Sequence, residues 1–193
     1  VITKEEFENC YQGIEIEATA RPIKNLRIDA MASIGNWRWG NNVADIAISD
    51  ENQTVVDNVS VLVKDVHVGD AAQTTLFIGA SYEIISNLKV GLDFYHNANL
   101  FASFDPIKRD EDSQINGKNP DSWKLPNYQL FDAMISYDFE FGNLQSVFFA
   151  KFNNLTDVEY ISEASDGSNH DAETARVYYG WGRNWSMGIK INF

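Results

Sequence analysis

The chain has 193 residues, 44% hydrophobic and 13% aromatic, enough apolar surface for a single domain with a core. Fifteen basic residues against 28 acidic ones give a formal net charge of −13, which weighs against nucleic acid or an anionic lipid surface as partner. Cys10 is the only cysteine, ruling out an internal disulfide or a thiolate metal cluster, and no stretch approaches the roughly 18 uninterrupted apolar residues of a transmembrane helix.

Two-residue alternation predicts about seven strands, over 14–21, 26–35, 74–84, 88–97, 128–139, 144–153 and 184–193. Pro22 to Asn25, Ile85 to Asn87 and Glu140 to Asn143 are tight turns, rich in residues whose dihedral preferences suit chain reversal. The remaining connections, 36–73, 98–127 and 154–183, run to about thirty residues or more. Short turns at one end and long loops at the other are the pattern of a bacterial outer-membrane barrel, and a soluble sandwich has no reason to keep it.

The strand faces sharpen that reading. In the last strand Trp185, Met187, Ile189, Ile191 and Phe193 share one side, opposite Ser186, Gly188, Lys190 and Asn192. When every strand is set in register by its apolar residues, no charge falls on the apolar side. The opposite side holds Glu15, Glu17, Arg21, Arg27, Asp29, Glu83, Lys89, Asp93, Asp132, Asp138, Lys151 and Lys190. A basic residue facing lipid at the midplane costs about 2–4 kcal/mol, so an outer face with none suits hydrocarbon. Aromatic residues gather near the strand ends as two girdles: Trp37, Trp39, Phe94, Phe152, Tyr178, Tyr179, Trp181 and Trp185 on the long-loop side, with Tyr82, Tyr137, Phe139 and Phe193 on the other. The expected fold is all-β, an antiparallel transmembrane β-barrel with short periplasmic turns and long extracellular loops. An exported protein needs a leader, and Val1 to Glu6 do not form one, so the chain is either mature or incomplete; because it begins without Met in what reads as the end of a loop, it is expected to be a piece of a longer protein.

Phe152-Asn153-Asn154-Leu155-Thr156-Asp157-Val158-Glu159-Tyr160, followed by Gly182-Arg183 leading a strand that ends at Phe193, resembles the carboxyl-terminal signature of TonB-dependent outer-membrane receptors. Tyr11 to Ala20 with its turn, and Trp123 to Tyr128 leading into Asp132, are similar to later strands of that family, in a form common among Bacteroidetes. The resemblance implies the last seven strands of a barrel of about 22. The plug domain, the TonB-contacting segment and about fifteen earlier strands would then lie outside this chain. It further implies outer-membrane localisation and import of a scarce nutrient with energy supplied through TonB, with no chemistry done on the cargo. That cargo would be a ferric siderophore, haem, a cobalamin or a glycan. Implied partners are outer-membrane lipid, the protein's own plug and remaining strands, TonB, and the barrel assembly machinery, for which Trp185 and Phe193 would form the terminal signal.

Candidate ligand contacts lie on the loops and upper lumen: Trp37, Trp39, Asp105, Arg109, Trp123, His170, Tyr178 and Tyr179. Interfacial anchoring or loop packing accounts equally for the aromatic ones. Glu15, Glu17, Arg21, Arg27, Asp29, Asp93, Asp132 and Lys151 are expected to line the lumen, keep it hydrated and hold the plug. The acidic run Asp110 to Gly117 mimics the start of a calcium loop but places Trp123 where a bidentate acid belongs, and His170-Asp171-x-Glu173 lacks a second histidine, so no metal site and no cofactor is expected. No hydrolase, metalloprotease or phosphate-loop motif is present, and His67, His96 and His170 stand in different segments, so the chain is not expected to be an enzyme. Two rivals remain: a passive porin or adhesin barrel, and a soluble β-sandwich binding module.

Overall fold

A computed structural model describes residues 7–192. In chain order it contains β1 (Asn9–Ile23), β2 (Leu26–Trp39), β3 (Val43–Ser49), β4 (Val55–Val61), β5 (Thr74–Ile85), β6 (Leu88–Ala98), β7 (Tyr128–Phe141), β8 (Leu144–Asn153), β9 (Ile161–Ser165), β10 (Arg176–Tyr179) and β11 (Asn184–Asn192). Seven of these form one antiparallel sheet in the order β1-β2-β5-β6-β7-β8-β11, a meander in which every neighbour is the next predicted strand. The sheet is open, with β1 and β11 at its edges.

The strands extend past their predicted ends. Alternation fades at Gly13 and Gly35, yet those two residues pair, and the ladder continues to Asn9 opposite Trp39, because backbone hydrogen bonds need no apolar side chain. The tight turns shrink to two residues each: Lys24–Asn25, Ser86–Asn87 and Gly142–Asn143, where Gly142 has φ +64°. Two of them are stitched to the next hairpin. The Glu83 amide donates to the Asn25 carbonyl (2.9 Å) and the Asp138 amide to that of Asn87 (2.8 Å), while the Asn25 and Asn87 side chains donate back to the Glu83 and Asp138 carbonyls.

Cross-strand register confirms the two faces. Ile16, Ala32 and Leu76 lie opposite one another, as do Leu92 and Ala133, Phe94 and Phe131, and Ile189 and Phe148. That face is bare: Ile14 is 70% exposed, Leu92 61% and Ile189 61%. A contiguous apolar surface spanning seven strands far exceeds what a soluble monomer shows to water. Among the described residues no helix is long and apolar enough to cross a membrane. The inner face is polar and close-packed at Gly79, where a Cβ would come within 2.8 Å of the Asp93 carboxylate and 2.7 Å of the Phe77 ring.

The buried core lies elsewhere, in the long connections, which are ordered rather than structureless. Connection 36–73 contains the β3–β4 hairpin and connection 154–183 the β9–β10 hairpin. Val43, Ile46, Val61 and Val63 pack with Phe7, Trp39, Val59 and Phe104; Leu100, Ala102, Leu125 and Ala164 pack with Trp123, Tyr128, Ile161 and Val177. The chain is therefore divided by solvent: a sheet with an uncovered apolar face, and a cap of loops with its own hydrophobic clusters.

Candidate functional site

The cap is tied together at two junctions, each built on a histidine and an aspartate. At the first, between connections 36–73 and 98–127, the His67 amide donates to Asp121 Oδ1 (2.9 Å), its Nδ1 meets Asp121 Oδ2 (2.5 Å), and its ring stacks on Phe101 at 3.9 Å between centroids. The second joins connections 98–127 and 154–183. Here Asp166 Oδ2 accepts from the Arg109 guanidinium (2.8 Å) and lies 2.5 Å from His170 Nδ1, while Oδ1 accepts from the Trp123 amide (3.1 Å). Backbone bonds reinforce it, Ser103 N–H to Ala164 O at 2.8 Å and Asp166 N–H to Ser103 O at 2.6 Å.

Arg109 and Asp166 each keep only 2% of their side-chain surface exposed. The guanidinium also donates to the Pro120 carbonyl (2.5 Å) and Ser122 Oγ (3.1 Å), and lies 4.6 Å over the Phe104 ring. Burial pulls the Arg109 pKa below its ordinary value, and the charges of Asp166 and Asp121 oppose that fall. An ion pair this deep holds together because both terminal nitrogens of the guanidinium and both carboxylate oxygens are hydrogen-bonded. At the surface nearby, the Thr174 hydroxyl and amide donate to Asp171 and hold its carboxyl below the usual range.

Above this junction connections 98–127 and 154–183 enclose a cavity of about 1050 Å³. Asp105, Arg109 and His170 of the predicted contacts line it. Trp123 packs beneath it in the second hydrophobic cluster. Trp37 and Trp39 belong to β2 rather than to a loop, and their register opposite Tyr11 and Asn9 puts them on the polar inner face, so they are not part of a lipid-side girdle. Trp37 packs edge-on against Tyr11, and Trp39 lies between Phe7 and Phe104. Tyr178 and Tyr179, in β10, are half exposed. Asp166 is the group that sequence reasoning passed over, because its partner Arg109 stands 57 residues away with no pattern to link them.

On the sheet's inner face Thr19, Asp29, Gly79, Asp93 and Asp132 lie opposite one another in successive strands, making a polar row. Glu15, Glu17, Arg27 and Lys151 share that face; Arg21 falls in the irregular stretch between Ala20 and Ile23. Arg27 clasps Asp29 (2.8 Å), and Lys151 lies 3.7 Å from Asp132. The run Asp110 to Gly117 folds as a short 3₁₀ turn and a tight reversal at Asn116–Gly117, and among the described residues no three metal-ligating side chains converge.

The terminal motif makes a corner. Asn154, buried at φ +50°, donates its backbone amide to Asp132 Oδ1 (2.9 Å), accepts on its side chain from the Val158 amide (2.9 Å) and donates from its side chain to the Val158 and Trp181 carbonyls (2.9 and 3.3 Å). Asp157 accepts from the Arg183 amide (2.8 Å), so the corner sets the entry to β11. Asn154→Ala is expected to cost about 1–3 kcal/mol for the polar groups it strands. Asn154→Gly, which relieves the backbone but restores no bond, should be nearly as damaging in thermal denaturation of the detergent-solubilised protein; a fully stable glycine variant would show that the conformation matters and the bonds do not. Trp185, in β11, is 63% exposed on the apolar face; Phe193 lies outside the described residues.

No protein-family model matches the chain, and a search of curated proteins finds no match. Among solved structures it is similar to the siderophore receptor PiuA from Acinetobacter baumannii, with a TM-score of 0.61 over 95% of this chain. At 15% identity the likeness is one of fold alone. The chain spans 22% of that receptor's length, so the likeness covers only a part of it.

Proposed function

We propose that the chain is the carboxyl-terminal part of a TonB-dependent outer-membrane receptor that captures a scarce nutrient at the cell surface and imports it with energy supplied through TonB. The observation that carries this reading is the division of the chain into an uncovered apolar sheet face, charged among the described residues only at Arg38 beside the cap, and an ordered cap confined to one end of the strands. Lipid would cover the face, and the cap would stand outside the cell. A soluble sandwich is disfavoured because, among the described residues, no second sheet packs on the apolar face.

Strand parity supports the same reading. With seven strands in a meander, β1 and β11 run in the same direction. Closing the sheet antiparallel requires an odd number of further strands between them, as about fifteen earlier strands would supply, whereas copies of this sheet joined edge to edge would meet in parallel. The polar inner row would then face a hydrated lumen, where Asp29, Asp93 and Asp132 would take cationic groups of a plug domain. A plug separates this reading from a passive porin.

The test is an immunoblot of fractionated source cells with an antibody to residues 98–127. A band several times heavier than 21.8 kDa, confined to the outer membrane, is expected. A soluble band at the mass of this chain would overturn the membrane reading.

A further inference from the structure

We propose that the cavity between connections 98–127 and 154–183 binds an uncharged, hydroxyl-rich ligand, an oligosaccharide in chemical class. This rests on the receptor reading above, which makes the cap the outward face. The first ground is that the site is built before any ligand arrives. Its floor is the Arg109–Asp166–His170 junction, whose groups are held by one another and by the backbone, and its walls are zipped by the Ser103–Ala164 and Asp166–Ser103 bonds. A preorganised wall spares a ligand the ordering cost that a floppy loop would impose.

The second ground is the lining. At about 1050 Å³ the cavity lies just above the range that holds small ligands, roughly 300–1000 Å³. Only Phe104 and Ile115 offer large apolar surface, and Phe104 already carries the Arg109 guanidinium on its ring. A flat macrocycle such as a tetrapyrrole needs broad apolar walls that are missing here. The lining instead mixes acceptors such as Asp112, donors such as Lys108 and Arg176, and amides that do both, such as Gln114 and Asn169. A sugar hydroxyl donates and accepts at once, so vicinal hydroxyls match a wall on which donors and acceptors are interspersed.

Charge supplies the third ground. The three long connections hold 17 acidic and 8 basic residues, so they carry −9 of the chain's −13. The cavity's own free-standing cations do not reverse that field, and an anionic chelate would approach against it. An uncharged ligand crosses it without cost.

The experiment is binding of the full-length, detergent-solubilised protein, purified from outer membranes, to a microarray of neutral and anionic glycans, with a ferric tris-catecholate complex titrated in parallel. Binding to neutral glycans is expected, with affinity falling about tenfold or more in Asp112→Ala and Arg176→Ala, neither of which belongs to the buried junction. Lys118→Ala, outside the cavity, should bind as the parent does and serves as the folding reference. Tight binding of the catecholate complex, or no neutral glycan bound, would overturn the assignment while leaving the receptor reading in place. Failure of the receptor reading is seen separately, as loss of the protein from the outer-membrane fraction before any ligand is added.

Discussion

Asp166→Ala is expected to free connections 98–127 and 154–183 from one another while the seven-stranded sheet stays folded. The substitution removes the carboxylate that meets Arg109, His170 and the Trp123 amide together, and leaves the Arg109 charge buried with Pro120 O and Ser122 Oγ as its hydrogen-bond acceptors among the described residues. Breaking one side of a buried ion pair costs about 3–5 kcal/mol, more than a small cap held by two modest apolar clusters is expected to spare. Amide hydrogen exchange reads the result locally. Ser103 and Asp166, whose amides bond across the junction, should lose protection, whereas the β6–β7 ladder should keep it. Asp166→Asn, which preserves an acceptor for Trp123 but not the charge, should fall between. Unchanged exchange in Asp166→Ala would mean that the apolar cluster of Leu100, Ala102, Leu125 and Ala164 holds the cap alone.

Leu92→Arg is expected to abolish assembly in the outer membrane. Leu92 occupies β6, the central strand, between Ala80 of β5 and Ala133 of β7, and its neighbours are too small to shelter a guanidinium. On the receptor reading a basic residue there would face hydrocarbon and cost about 2–4 kcal/mol near the midplane. Ser33→Arg is the matched control: it points to the inner face, beside Glu15, and should assemble as the parent does. The yield of protease-resistant, heat-modifiable protein in outer membranes decides between them. Equal yields for both variants would show that the bare face does not meet lipid.

The sheet was legible in the amino-acid pattern because one of its faces is apolar and the other polar, which forces a strict two-residue alternation. All seven strands and the face of nearly every charged residue on them follow from that single constraint. The constraint weakens where the strands run into the cap, and the errors gather there. β2 runs on to Trp39 after its alternation fades, and the inward position of Trp37 and Trp39 was available in the same odd-numbered register as Arg27 and Asp29. In the cap, residues pack on several sides at once, so no period survives. The β3–β4 hairpin left one usable trace: the turn in which Asp50 accepts from the Asn52 and Thr54 amides. Nothing in the order of residues joins Arg109 to Asp166, since their meeting depends on how two connections are carried by four different strands of the sheet.

The shared direction of β1 and β11 bears on how such a protein changes over generations. Strands of a meander arrive or leave as hairpins, two at a time, since losing one alone would turn every later strand over and deliver its loop to the wrong compartment. Inheritance thus acts on pairs, and a lineage that lengthens or trims this wall must keep the count's parity even as every residue of the cap drifts.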